Sequence, residues 1–105
     1  MKIDKNQNGT ELLVALEGRL DTTTAPQLEA ELTDSLDGIE RLVFEFDKLE
    51  YISSAGLRVL LSAQKKMNKK GSMAIHHVND TIMEIFDVTG FTDILTIEAS
   101  EAALC

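Results

Sequence analysis

Residues 51–61 of the chain read Tyr51-Ile52-Ser53-Ser54-Ala55-Gly56-Leu57-Arg58-Val59-Leu60-Leu61. An apolar strand end, two hydroxyls and a leucine-rich run predict a strand that turns directly into a helix at Ser53-Ser54. Serine is a favoured N-cap because its side-chain oxygen accepts from the unpaired N–H groups of a first helical turn. Those same N–H groups and the positive end of the helix also suit a phosphate. A plain cap and a phosphoacceptor are therefore both open from the physics alone. Gly56, lacking a side chain, lets the helix pack closely or lets another backbone or a nucleotide approach.

Outward from this turn, the pattern alternates strands and helices. Met1 to Gln7 forms a first weakly alternating strand, and Asn8-Gly9 is a hairpin turn. Thr10 to Gly18 follows, with Leu12, Val14 and Leu16 on one face and Leu13 and Ala15 on the other, which predicts cover on both sides. Thr24 and Gln27 fit a capping box, Pro26 is tolerated in a first turn, and Leu28, Leu32 and Leu36 repeat at helical spacing until Asp37-Gly38. Arg41 to Phe46 is a β-branched and aromatic strand. Gly71 stops the helix that begins at Ser54, and Met73 to Val78 is the next strand. Asn79 or Asp80 caps a short helix with Ile82, Ile85 and Phe86 inward, Gly90 ends it, and Leu95 to Glu98 is the last strand. The order β-β-α-β-α-β-α-β predicts an α/β domain with a mixed sheet of four to five strands and three to four helices.

Composition narrows the function. The 105 residues fit one domain, 1–105, and 44% hydrophobic content can fill its core without staples. The sole cysteine, Cys105, cannot form an internal bridge, a usage that suits a reducing cytoplasm. No apolar h-region follows Met1-Lys2-Ile3-Asp4-Lys5, and no run approaches the ~20 residues of a membrane helix, so a cytoplasmic, soluble chain is expected. The net charge of −8 opposes nucleic-acid backbones. Lys65, Lys66, Lys69 and Lys70 belong to a wet helix face and last turn, where positive charge complements the helix dipole.

Catalysis is poorly supplied. A nucleophilic serine needs an oriented base, and the only histidines, His76 and His77, are adjacent on a predicted strand and so expected on opposite faces, with no acidic orienter evident in sequence. They make a poor metal clamp. Gly-x-Ser-x-Gly is absent, as is a Walker-type phosphate loop. No metal or other cofactor is expected.

Four separated pieces resemble one family. Gly18-Arg19-Leu20-Asp21 is similar to Gly-x-(Leu/Ile)-Asp, and Leu49 to Leu57 to a phosphorylation loop. Lys69-Lys70-Gly71 leads into the next strand as that family does, and Phe86-Asp87-Val88-Thr89-Gly90-Phe91 is similar to Phe-Asp-x-(Thr/Ser)-Gly-Leu. Over Leu12 to Ile97 the chain resembles a stand-alone STAS domain of the bacterial anti-sigma factor antagonists. The resemblance implies a partner switch. The unphosphorylated protein would bind an anti-sigma factor that is also a serine kinase, phosphorylation would release it, and a serine phosphatase would reset it. The family loop Asp-Ser-(Ser/Thr)-Gly-Leu, aligned on Gly56-Leu57, puts the modified serine at Ser54, with Ser53 in the aspartate position as the alternative acceptor and Ala55 in place of the second hydroxyl. Asp21, Thr22, Ser53, Ser54, Ala55, Gly56, Leu57 and Arg58 are the implied partner-binding residues, Asp21 having helix capping as its competing role. The chain would be a monomeric substrate of the kinase and not an enzyme. A STAS adaptor in a non-sigma signalling or transporter-regulating complex is the second reading, and an enzyme with Ser54 as nucleophile the third.

Overall fold

A computed structural model describes residues 1–98, which leaves Cys105 outside the described residues. The elements are β1 (Lys2–Asn8), β2 (Glu11–Leu20), α1 (Ala25–Ser35), β3 (Arg41–Ile52), α2 (Ser54–Asn68), β4 (Ser72–His76), α3 (Asp80–Thr89), a 3-10 turn (Phe91–Asp93) and β5 (Ile97–Glu98). The strands form one sheet in the order β1-β2-β3-β4-β5. β1 runs antiparallel to β2, and the remaining pairs are parallel. This is the expected mixed α/β sheet, with five strands and three α-helices among the described residues.

Register puts the alternate residues of neighbouring strands in rows. Leu12, Leu42 and Met73 form one row, and Val14, Phe44, Ile75 and Ile97 the next. Helical spacing brings Leu28, Leu32 and Leu36 from the α1 segment, Leu57, Leu60, Ala63 and Met67 from α2, and Ile82 and Phe86 from α3 onto that face. All are buried, and they form one cluster with the strand residues. The burial of so many Leu, Ile and Phe side chains, at roughly 1.5–3 kcal/mol each before entropy is counted, holds the helices on the sheet.

The reverse face corrects one expectation. Every buried apolar side chain of the three described helices joins the Leu12 face, so among the described residues β2 is covered by helices on one side only. Leu13 faces the other way, 37% exposed, in a row with Val43 and Ala74. Charged pairs flank that row: Arg41 lies 3.3 Å from Glu11 and 3.5 Å from Glu98.

Two further local expectations are revised. His77 follows the end of β4 with a left-handed backbone, φ 58°, which breaks the alternation that would have sent it opposite to His76. Each histidine also has an acid that the sequence did not show, Glu98 at 2.6 Å from His76 Nε2 and Glu45 at 2.6 Å from His77 Nδ1. At α1 the Thr24–Gln27 capping box is absent, since Thr24 makes no side-chain cap bond. Asp21 Oδ1 accepts instead from Thr23 and Thr24 N–H, in the turn just before the helix.

The β2 and β3 registers shift between Ala15 and Glu17 and again between Gly18 and Arg19. Gly18 sits at the second shift with φ +104°, a backbone that L side chains rarely adopt. Past this irregularity Leu20 pairs with Ile52, so the carboxyl ends of two parallel strands finish side by side. Ligand and partner sites in open α/β sheets commonly lie at such strand ends.

Candidate functional site

The two strand ends are tied together by one bond, from Ser53 N–H to the Leu20 carbonyl, at 2.9 Å. Asp21 and Ser53, each one residue beyond its strand, are therefore neighbours. Ser53 is extended (φ −100°, ψ 177°) and is the N-cap of α2, its Oγ accepting from Gly56 N–H at a long 3.5 Å. Its carbonyl accepts from Leu57 N–H at 2.9 Å. Ser53 is half-buried and committed to the turn. Ser54, the first helical residue, is exposed, and among the described residues no hydrogen bond engages its hydroxyl.

Gly56 seats this turn. A Cβ there would stand 2.7 Å from Leu20 Cγ and 2.8 Å from Ile52 Cγ1. The first turn of α2 thus lies directly on the paired strand ends, and only a residue without a side chain fits between them. Leu57, 5% exposed, enters the core. Gly56 and Leu57 consequently set the position of the loop from within, whereas Thr22, Ser54 and Arg58 are exposed.

On the Asp21 side, Oδ1 accepts from Thr23 Oγ1 at 2.8 Å, Thr23 N–H at 3.0 Å and Thr24 N–H at 3.2 Å. Thr24 Oγ1 in turn donates to the Arg19 carbonyl at 2.9 Å and accepts from Asp21 N–H at 2.8 Å. These bonds form the start of α1. The Thr23 hydroxyl above all, then the Thr23 and Thr24 N–H groups, hold the Asp21 carboxyl below its ordinary 3.8, against the opposing effect of desolvation. Asp21 Oδ2 lies 4.0 Å from Arg19 Nε, and the Arg19 guanidinium stacks 4.6 Å above the Tyr51 ring. The Asp21 side chain thus orders the turn that leads into α1, beside the loop, without bonding an N–H of the helix itself.

Between α1 and α2 runs an open groove of about 240 Å³. Ala25, Pro26, Ala55 and Val59 supply apolar lining, with Thr22, Glu29 and Arg58 as its polar members. Six of the eight residues singled out from sequence thus meet at one end of the molecule: Asp21, Thr22, Ser53, Ser54, Ala55 and Arg58. Ala25, Pro26, Glu29 and Val59, which also line the groove, were missed. Their only signal was spacing: Ala25 to Glu29 and Ala55 to Val59 are each one helical turn.

No histidine lines the groove, and both histidines lie against acids elsewhere. Among the described residues there is no cluster of three or more side chains that could hold a metal. Nor is any described helix long and apolar enough to cross a membrane.

Comparison with known proteins bears on the fold and the family. BtrV of Bordetella bronchiseptica, named as an anti-sigma factor antagonist, is 34% identical over 105 residues, covering 98% of this chain and 90% of BtrV. The anti-sigma-B factor antagonist of Bacillus subtilis is 28% identical over 100 residues, covering 94% of this chain and 92% of that protein. The structure of the Bacillus anti-sigma factor antagonist SpoIIAA superimposes with a TM-score of 0.81 in its unphosphorylated form, covering 98% of this chain and 93% of SpoIIAA at 16% identity. Its phosphorylated form gives 0.73, covering 98% and 96% at the same identity. The STAS domain model matches residues 2–104. On fold, motif order and sequence match together, the chain belongs to the STAS domain family.

Proposed function

We propose that this protein is an anti-sigma factor antagonist switched by phosphorylation of Ser54, acting as one cytoplasmic, monomeric domain. The observation that carries this reading is the division of labour between the two serines. Ser53 spends its hydroxyl on the helix cap, while the Ser54 hydroxyl is exposed and unengaged among the described residues. The names of BtrV and of the Bacillus subtilis relative support the antagonist role, and SpoIIAA is a fold neighbour known in both phosphorylation states.

In the unmodified state the exposed loop, with Asp21, Thr22, Ala55 and Arg58 around it, docks on an anti-sigma factor that is itself a serine kinase. That partner transfers the γ-phosphoryl group of ATP to Ser54 Oγ, breaking the bond to ADP and releasing the serine proton. The product carries ~1.5–2 further negative charges and three acceptor oxygens at the docking surface, on a chain whose net charge is already −8. Release follows from charge and desolvation at the contact, without refolding of the domain. A serine phosphatase restores the first state. The chain is the substrate in both steps and supplies no catalytic group.

The test is to incubate the protein with a co-encoded serine kinase and ATP, map the phosphosite by mass spectrometry, and measure binding of variants to that kinase. Ser54→Ala should abolish labelling and keep affinity, and Ser54→Asp should weaken binding by about tenfold or more, that is by about 1.4 kcal/mol. Phosphate on Ser53 alone would reassign the site. No labelling by any co-encoded kinase would sink the switch and leave the adaptor reading in its place.

A further inference from the structure

The chain has three arginines. Arg19 reaches Asp21 and Tyr51, and Arg41 pairs with Glu11 and Glu98. Arg58 is exposed and, among the described residues, makes no ion pair, hydrogen bond or ring contact. Its position is also electrostatically awkward. It sits near the positive end of α2, whose first turn holds no acidic residue, where a cation is disfavoured by the helix dipole. Glu29 lines the same groove but forms no ion pair with it.

A helical side chain leans toward the N-terminus and covers the turn before its own Cα. Arg58 lines the groove and is four residues after Ser54 on α2, so its side chain is within reach of the turn that Ser54 opens. An acid at i with a base at i+4 is also the favourable order for a helical ion pair. Phosphoserine would provide that acid, and its oxygens match the planar, forked donors of a guanidinium.

Resting on the Ser54 assignment above, we propose that Arg58 is the internal ligand of the phosphate on modified Ser54. Phosphorylation then acts twice. It adds negative charge at the loop, and it withdraws from the groove the one arginine that the unmodified protein leaves free among its described residues. A partner that meets a free guanidinium beside Ala55 before modification meets a neutralised pair afterwards.

The contact can be measured without any kinase. Phosphoserine is installed at position 54 during translation, and its phosphorus resonance is titrated by NMR through the second ionisation near pH ~6. The midpoint should lie lower with Arg58 than in Arg58→Gln by about 0.2–0.4 pH, the size of an i,i+4 ion pair on that scale. Arg58→Lys should retain most of the lowering, and ~1 M salt should remove most of it. Equal midpoints in the parent and Arg58→Gln at low salt would overturn the assignment. Failure of kinase labelling at Ser54 is a separate result, which would refute the switch while the installed phosphate still reports on Arg58.

Discussion

Replacing Gly56 by alanine would place a methyl carbon 2.7 Å from Leu20 Cγ and 2.8 Å from Ile52 Cγ1. Two effects compete. Gly56 lies within α2 without a positive φ, so alanine gains helix preference of about 0.5–1 kcal/mol. Against this, overpacking a closed core costs about 1–3 kcal/mol. The upper part of that range applies, because Leu20 and Ile52 are 0% and 1% exposed and neither side chain can swing into solvent. The expected balance is a loss of about 1–2 kcal/mol, which lowers Tm by about 4–8 °C per kcal/mol in a domain of this size. Urea unfolding followed by far-UV circular dichroism measures it, with the Leu20→Ala background as the decisive comparison. There the Leu20 Cγ contact is gone while the Ile52 Cγ1 contact remains, so the penalty of Gly56→Ala should shrink, a coupling of about 0.5–1 kcal/mol between contacting sites. A Gly56→Ala protein as stable as the parent, or equal penalties in both backgrounds, would show that α2 is not seated on the strand ends. The position of Ser54 would then need another explanation.

Three further expectations concern the helix starts. Ser53→Ala removes the α2 cap and should cost about 0.5–1 kcal/mol, the low end for such caps because the bond is a long 3.5 Å; a chemical melt measures this, and Ser54 should still be labelled. Asn79 both caps α3 through Ile82 N–H at 2.8 Å and donates to the Leu49 carbonyl at 2.9 Å. Asn79→Asp keeps the first bond and loses the second, so it should cost less than Asn79→Ala, for which about 1–2 kcal/mol is expected; an Asn79→Asp protein as stable as the parent would rule out the tie to β3. Asp21 has a folded-state carboxyl pKa below its unfolded one, so its contribution is present above pH ~4 and fades as pH falls through the lower folded value. The parent should therefore exceed Asp21→Asn in urea midpoint at pH 7, and the gap should narrow on acidification toward pH ~3; a gap that widened would reverse the sign.

Much of the fold was legible because local chemistry and tertiary packing agree. Leu28, Leu32 and Leu36 mark α1 and its inner face, and the β-branched and aromatic run of Arg41 to Phe46 marks β3. The turn at Ser53-Ser54 combines a cap residue with the start of a helical stripe. Ambiguity began where two residues offered the same local bond. Thr24 and Asp21 could each start α1, and Asn79 and Asp80 could each cap α3. For α3 the choice rests on a partner far along the chain, the Leu49 carbonyl that holds Asn79, whereas at α1 the Thr24 hydroxyl is taken up locally by the Arg19 carbonyl and Asp21 N–H.

The sequence by itself determined the order of elements, the helix start at Ser54 and the candidate hydroxyls, because those depend on periodicity and on bonds within a few residues. Only the tertiary structure decided which face of β2 is covered, since alternation shows that two faces exist and not what packs on them. It also separated the inward Gly56 and Leu57 from the outward Ser54 and Arg58, and it assembled the groove from helices about 30 residues apart in the chain. The physical reason is range. Capping and helical spacing are local, whereas burial and the meeting of Asp21 with Ser53 follow from two strand ends brought side by side by the register of Leu20 with Ile52.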